Sequence, residues 1–406
     1  MKYVDEFRDG AVAQALAARI AADCQPNRRY AFMEFCGGHT HAIARYGIPA
    51  LLPPAIRMIH GPGCPVCVLP IGRIDQAIAL ALRHGAIVAT YGDTMRVPAS
   101  PAAGPPQGGQ HPLGGREPQA SRGLGESLSM MKAKARGADI RMVYSAADAL
   151  AIARAQPARE VVFFAIGFET TTPPTALVVK QAAAEGLRNF SVLACHVLTP
   201  SAIAHVLESA EVGTLGTVPI EGFVGPAHVS IVIGSKPYEP FAAQHRKPVV
   251  ISGFEPLDVM QSIWMLVRQV NEGRAEVENQ YTRAVTRDGN LAAQRAVAEV
   301  FELRESFEWR GLGEVAFSAL RLKPEWAAFD AERRFDVGYQ AVPDHKQCEC
   351  GAILRGVKHP RDCKLFGTVC TPENPMGSCM VSSEGACAAH WSYGRFRDIP
   401  VVAEAV

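Results

Sequence analysis

Short apolar runs alternate with amphipathic segments along the first two thirds of the chain. The runs are five to seven residues long, as buried strands are, and lie at residues 30–35, 56–60, 86–90 and 160–166. Other segments repeat apolar residues every three to four positions, as at 5–22 and 72–84, which predicts helices. Strands that alternate with helices are typical of an α/β fold with parallel sheets.

The pattern predicts two similar α/β domains, each with a small parallel sheet flanked by helices. We assign residues 1–156 to the first domain and residues 157–270 to the second. Residues 271–406 are expected to form a helical segment and a loop-rich, cysteine-rich iron–sulfur domain. Residues from about 98 to 122 are dense in Pro, Gly and Gln and lack apolar periodicity, which predicts a mobile insertion.

Cysteines follow the first two predicted strands. Cys36 opens the sequence CGGHTH after the first strand, and Cys64 and Cys67 lie in GPGCPVC after the second. Parallel strands end at one edge of a sheet, so we expect Cys36 to lie close to the pair. The start of a helix at Cys36 would favour its thiolate, and His39 would line the same loop.

The spacing of Cys64 and Cys67 permits two uses. Two intervening residues let both sulfurs share a metal ion or close a small disulfide ring, and the spacing alone does not choose between these uses. Glu169, Glu221 and Glu255 each follow a predicted strand, which predicts an acid-lined cleft.

Six cysteines lie within forty residues near the end of the chain. They are Cys348, Cys350, Cys363, Cys370, Cys379 and Cys387. Their scattered spacing, with Gly and Pro at most bends, favours an iron–sulfur cluster. Zinc is the alternative, but zinc sites usually show paired Cys-x-x-Cys motifs, which this segment lacks. A cubane cluster needs four thiolates, so two cysteines remain for another task.

Composition narrows the choice of partners and compartment. The formal net charge of +1 argues against nucleic acid as the main partner. Neither a signal peptide nor a run of eighteen apolar residues occurs, so we expect a cytoplasmic protein without a membrane span. In that reducing compartment eleven cysteines indicate metal or redox chemistry rather than a disulfide framework.

Six motifs occur in an order that resembles one known family. They are CGGHTH, GPGCPVC, GFETTTP, EGFVGPAHVS, ISGFEP and the terminal CxCG…CKLFG…CTPENPxGxCMVSSEGAC. Together they resemble the hydrogenase maturation protein HypD family over nearly the whole chain, with only the predicted insertion outside the match. One Cys-x-x-Cys motif alone is weak evidence, whereas six ordered motifs are specific.

The resemblance implies a scaffold for the Fe(CN)₂CO group of [NiFe] hydrogenase. Members of the family hold this iron jointly with the small chaperone HypC and receive cyanide from HypE with HypF. By resemblance, Cys36 would be the iron-holding thiolate with His39 near it, and Cys64 and Cys67 would be a redox-active pair.

The resemblance also implies a [4Fe–4S] cluster in an arrangement similar to that of ferredoxin:thioredoxin reductase. In that pattern the ligands would be Cys348, Cys363, Cys370 and Cys387, and Cys350 and Cys379 would be the spare redox pair. Whether the protein is an enzyme in its own right stays open, because assembly would require only a thiol redox step.

Two other functions compete with the scaffold. A Cys-x-x-Cys pair together with a cluster and spare thiols would also suit a free-standing iron–sulfur protein-disulfide reductase. A structural zinc clip is the third possibility for the terminal cysteines.

Overall fold

The structure is a computed structural model that describes residues 5–100, 128–208, 214–215 and 218–394. The predicted insertion lies outside the described residues from position 101 onward.

Fifteen strands occur in the described ranges. In chain order they are β1 (Tyr30–Glu34), β2 (Ile56–His60), β3 (Ile87–Thr90), β4 (Ile140–Met142), β5 (Val161–Gly167), β6 (Phe190–His196), β7 (Thr214–Leu215), β8 (Val218–Pro219), β9 (Gly222–Pro226), β10 (Val249–Ser252), β11 (Val277–Asn279), β12 (Phe301–Leu303), β13 (Ser306–Trp309), β14 (Gly313–Ala316) and β15 (Leu320–Leu322).

The α-helices of the same ranges are mostly short. They are α1 (Gly10–Asp23), α2 (Gly37–Tyr46), α3 (Pro65–Val68), α4 (Ile71–Arg83), α5 (Met130–Ala135), α6 (Ala146–Ala155), α7 (Thr172–Ala184), α8 (Thr199–Glu208), α9 (Ala227–Ile233), α10 (Glu239–His245), α11 (Pro256–Glu272), α12 (Leu291–Val300), α13 (Ala331–Arg334), α14 (Cys350–Leu354) and α15 (Ala386–Ala389). Single 3₁₀ turns lie between several of them, and one π-helical turn spans His390–Gly394.

Two parallel sheets form the body of the protein. The first has the strand order β11-β10-β9-β1-β2, and the second has the order β4-β3-β5-β6. All neighbours within both sheets pair in parallel. Every residue of β1, β5 and β6 is buried, as expected of strands with helices on both faces. The predicted α/β class with parallel sheets flanked by helices is confirmed.

The strand pairing does not follow the predicted division at residue 156. The first sheet combines β1 and β2 with β9, β10 and β11, while the second sheet uses only the continuous stretch from β3 to β6. The sequence pattern shows where strands lie but does not show which strands pair. The chain leaves the first sheet after β2, builds the second sheet and then returns to the first with β9.

The segment after residue 270 is less helical than predicted. It contains β11 to β15 and one helix of ten residues, α12, before the short helices near the cysteines. In β12 and β13, apolar residues such as Phe301 and Phe307 alternate with polar residues. β12 pairs with β15 and β13 pairs with β14, both in antiparallel fashion. The charged residues between these apolar positions are typical of an exposed helix, which is why the sequence pattern predicts a helix here. None of the described helices is both long and apolar enough to cross a membrane.

Gly63 fixes how closely the ends of β1 and β2 approach. Its carbonyl accepts the Gly37 N–H at 2.9 Å. A Cβ atom on Gly63 would lie 2.3 Å from the backbone N of Cys36. A clash with backbone cannot be relieved by turning a side chain, so this loop requires glycine.

We therefore expect Gly63→Ala to lower the free energy of unfolding by roughly 1–3 kcal/mol, as overpacking does. Gly338→Ala is the matched control, because nothing lies within 4 Å of the Cβ it would add. Urea denaturation of both variants measures the difference. Equal stability of the two variants would contradict the close approach of the two loops.

Candidate functional site

Cys36 lies at the point in the first sheet where the strand order reverses. The chain runs outward from β1 to β2 on one side and from β9 to β10 on the other, so β1 and β9 flank a topological switch point. Ligands of parallel sheets gather outside the carboxyl ends of such strands. Cys36 follows β1 and His228 follows β9, and Cys36 Sγ lies 3.2 Å from His228 Nδ1.

Our sequence reasoning missed His228. The residue stands in EGFVGPAHVS, a motif that we quoted without assigning its histidine. Its signal was its position directly after an apolar strand, but the link to Cys36 depends on the pairing of β1 with β9 across some 190 residues. That pairing has no local signature in the sequence.

The thiol and the imidazole form a neutral pair at neutral pH. Burial raises the pKa of Cys36 well above its usual value, and the carboxylates of Glu384 and Glu34 raise it further. The N–H groups of Gly38 and His39 at the start of α2 lower this pKa, as predicted, but burial outweighs them. Burial also lowers the pKa of His228 to about 4. A thiolate at Cys36 therefore requires an added positive charge, such as that of a metal ion.

Glu34 holds the Cys36 loop in place. Its side chain is fully buried, and one carboxylate oxygen accepts the backbone N–H of Cys36 at 2.9 Å. The other oxygen accepts hydrogen bonds from His60 Nδ1 at 2.9 Å and from the Thr40 hydroxyl. Because all these partners are donors, the carboxylate is satisfied although it is buried. A charged residue at the end of the apolar run YAFMEF was the sequence signal for it.

His39 is buried beside the same loop. Its Nε2 lies 3.0 Å from the carbonyl oxygens of both Ser252 and Gly253. Carbonyl oxygens only accept hydrogen bonds, so Nε2 carries the proton and Nδ1 keeps its lone pair. Nδ1 has no hydrogen-bond partner among the described residues. The ring of Phe254 contacts both histidines of the site, with centroids 4.8 Å from His39 and 5.3 Å from His228.

Cys64 and Cys67 form a disulfide in the loop after β2. Their Cα atoms are 5.2 Å apart, and the two side chains are 3% and 0% exposed. The predicted closeness to Cys36 is confirmed, since Gly63 directly precedes Cys64 and packs against the Cys36 backbone. Of the two uses that the spacing permits, the structure contains the disulfide.

All six terminal cysteines line one small cavity. Five further residues complete its wall: Ile353, Leu365, Phe366, Gly377 and Met380. Cys350 and Cys379 are the deepest of the six, with 2% and 0% exposure, and the Cys379 N–H donates to Cys350 Sγ at 3.2 Å. Contact with the Cys350 thiol and burial raise the pKa of Cys348, and burial raises that of Cys370. These two thiols therefore stay protonated at neutral pH unless a metal provides positive charge.

The donor set of this cavity fits an iron–sulfur cluster. Soft thiolates in an apolar, loop-rich wrap are the ligands that such clusters use. No three Cys, His, Asp or Glu side chains in the described ranges converge on a point where they could hold one metal ion. A cube differs from a single ion in this respect, because each of its four irons takes one thiolate at a separate corner.

Ser378 connects the cysteine cavity to the disulfide. Its hydroxyl donates to the Cys67 carbonyl at 2.6 Å and lies 3.8 Å from Cys350 Sγ. The Cys67 sulfur lies 3.8 Å from the Ser378 carbonyl oxygen. The segment that follows also contacts the Cys36 loop, since a Cβ on Gly37 would meet the side chain of Glu384. Three cysteine sites that are far apart in sequence therefore adjoin one another.

The predicted cleft with three acids is wrong. Glu221 lies at the amino-terminal end of β9 and pairs with Arg28, while Glu255 pairs with Arg8. Only Glu169 is buried at the carboxyl end of a strand, where its oxygens accept the Thr199 N–H at 2.8 Å and the Thr199 hydroxyl at 3.0 Å. The sequence pattern placed these acids near strand ends but did not show that arginines neutralise two of them.

Glu169 makes the stability of the protein depend on pH. Burial raises its pKa from 4.5 to about 7. The folded state thus binds a proton that the unfolded chain has released, so stability falls as pH rises from about 4.5 to 7 and then levels off.

Between pH 5 and pH 8 we expect Glu169→Gln to gain about 2–3 kcal/mol of unfolding free energy relative to the wild type. Chemical denaturation at the two pH values measures this, with the exposed Glu325→Gln as control. A pH-independent difference would show that Glu169 does not titrate near neutrality.

Comparison with known proteins identifies the family of the chain. The model of the HypD family, described as the hydrogenase formation hypA family, matches residues 11–105 and 119–394. The hydrogenase maturation factor HypD of Cupriavidus necator is 69% identical over 403 residues, which cover 99% of this chain and 100% of that protein. The factor of the same name from Rhizobium leguminosarum bv. viciae is 64% identical, covering 98% of this chain and 97% of that protein. That of Escherichia coli is 42% identical, covering 97% and 98%. The chain therefore belongs to the HypD family of hydrogenase maturation factors.

Proposed function

We propose that the protein is a scaffold on which the Fe(CN)₂CO group of [NiFe] hydrogenase is assembled. It would hold the iron jointly with a HypC-type chaperone and receive cyanide from HypE with HypF. The observation that supports this most is the convergence of Cys36, the Cys64–Cys67 disulfide and the six-cysteine cavity around one edge of a parallel sheet. An iron ligand, a redox switch and an electron source would then be neighbours in the cytoplasm, where reductants are available.

Cys36 would bind the iron as a thiolate. Cyanide and CO stabilise low-spin Fe(II), and a soft sulfur ligand in a buried site suits that ion. The free thiol is protonated, so binding of the iron cation would release its proton. His228 would orient the sulfur, because its Nδ1 lies 3.2 Å away, while its low pKa makes it a poor site for the released proton. The free Nδ1 lone pair of His39 would provide a second acceptor in the same loop.

The Cys64–Cys67 pair would accept electrons as the disulfide and supply them as the dithiol during assembly. Its reduction to two thiols takes up two electrons and two protons. Cys350 and Cys379 are suited to exchange with it, because they are adjacent to each other and Ser378 connects Cys350 to Cys67. Cys348, Cys363, Cys370 and Cys387 would hold a [4Fe–4S] cluster. When bound, that cluster would supply electrons one at a time.

The free-standing disulfide reductase is less well supported. Both sulfurs of the Cys64–Cys67 disulfide are buried, at 3% and 0% exposure. Thiol–disulfide exchange requires access to a sulfur, and a folded protein substrate could not reach this one without a rearrangement of the loop.

Each of the single substitutions Cys36→Ala, Cys64→Ala and Cys67→Ala should abolish maturation of a [NiFe] hydrogenase, because each removes a sulfur of the proposed site. Hydrogenase activity in a strain that carries only the variant measures this. Cys24→Ala is the matched control, since Cys24 is a half-buried thiol outside the site. Full maturation in all three variants, with soluble protein of wild-type stability, would refute the proposal.

Anaerobic purification with the small partner should yield iron and sulfide at about four of each per chain in the cluster, plus one further iron. That further iron should show CN and CO stretching bands in the infrared, and Cys36→Ala should lose the bands but keep the cluster. Zinc without iron or sulfide would favour the zinc clip. Turnover of a protein disulfide by the isolated chain, without CN or CO bands, would favour the reductase.

A further inference from the structure

A turn at the end of β13 contacts the segments that carry Cys67 and Cys350. The Arg310 N–H donates to the carbonyl of Val68, the last residue of α3, at 2.7 Å. A Cβ on Gly311 would lie 2.8 Å from Cα of Gly351, which directly follows Cys350. The Arg310 backbone is thus fixed against both redox elements.

The Arg310 side chain places a buried cation at this position. The residue is only 4% exposed. Its Nε donates to Asp344 Oδ1 at 2.6 Å, and Nη2 contacts the same oxygen at 2.5 Å. Nη1 is buried and has no hydrogen-bond partner among the described residues. The described residues therefore satisfy only part of the hydrogen-bonding capacity of this guanidinium.

The ion pair is coupled electrostatically to the terminal cysteines. Burial opposes the charge on Arg310, but Asp344 and then Cys350 and Cys348 raise its pKa. Gly311 packs on Gly351, directly after Cys350, and Asp344 lies four residues before Cys348, so a cation and a carboxylate lie beside the same array. Arg310 and Asp344 thus act on the cysteine array with opposite signs.

We propose that Arg310 is a positioning residue that sets the reduction potential of the cysteine array, and that Asp344 limits its effect. The inference rests on the proposed cluster and deepens it. One-electron reduction adds a negative charge to the array. A buried cation stabilises the reduced form and raises the potential, and a neighbouring carboxylate lowers it. Neither residue needs to contact the reacting atoms.

Removal of Arg310 and removal of Asp344 should shift the reduction potential in opposite directions. An ion pair with only a structural role would not give opposite shifts. Arg310→Met removes the charge and keeps an unbranched apolar stem. We expect its equilibrium constant for reduction to fall at least tenfold, which is a shift of about 59 mV to lower potential for one electron. Asp344→Asn leaves the cation without its carboxylate, so its potential should rise. Arg310→Lys retains the charge and should restore most of the wild-type potential.

The measurement is an anaerobic redox titration of the full-length protein with dithionite, followed by electron paramagnetic resonance. Arg287→Met is the control, because it removes an arginine that pairs with Glu239 at the surface. Iron content and thermal midpoint establish that each variant is folded and loaded. If Arg310→Met does not fold, the upward shift in Asp344→Asn tests the inference alone.

Shifts of the same sign in Arg310→Met and Asp344→Asn, or unchanged potentials in both, would overturn the inference and leave the proposed function intact. A wild-type protein without iron and sulfide would overturn the proposed cluster and this inference together. Opposite shifts, with the control unchanged, would establish Arg310 and Asp344 as the residues that adjust the potential.

Discussion

The pairing of β1 with β2 on one side and β9 on the other is the constraint on which the site depends. It brings the loops after three strands to one edge, and it places Cys36 beside both His228 and the Cys64–Cys67 disulfide. The buried carboxylate of Glu34 secures the arrangement from within, since it binds the Cys36 backbone and His60 at the end of the neighbouring strand. Loss of the β1–β9 pairing would separate Cys36 from His228, and loss of the β1–β2 pairing would separate Cys36 from the disulfide.

Burial determines the charge state of this site. The Cys36 thiol and the His228 imidazole are both pushed toward their neutral forms, while Glu34 keeps enough donors to remain satisfied. A neutral thiol among carboxylates attracts a cation and has little affinity for an anion. A metal ion would provide the positive charge that a thiolate at Cys36 requires, and its binding would displace the thiol proton.

Much of this could be predicted from the sequence. The strand–loop–helix pattern gave the α/β class and placed Cys36 and the Cys64–Cys67 pair on adjacent loops, because both features depend on local apolar periodicity. Periodicity carries no information on which distant strands pair, so His228 and the mixed origin of the first sheet were missed. The neutralisation of Glu221 and Glu255 by arginines was missed for the same reason. Arg28 and Arg8 lie far from these acids in sequence.

The return of the chain to its first sheet also affects how the protein is made. The second sheet is continuous in sequence and can form while the rest of the chain is still being synthesised. The first sheet must wait until β9 has left the ribosome, some 190 residues after β1, and such long-range pairing is slow. During that interval Cys36 lacks His228 beside it. A truncated or stalled chain that ends before β9 would therefore present the Cys36 thiol without its imidazole partner.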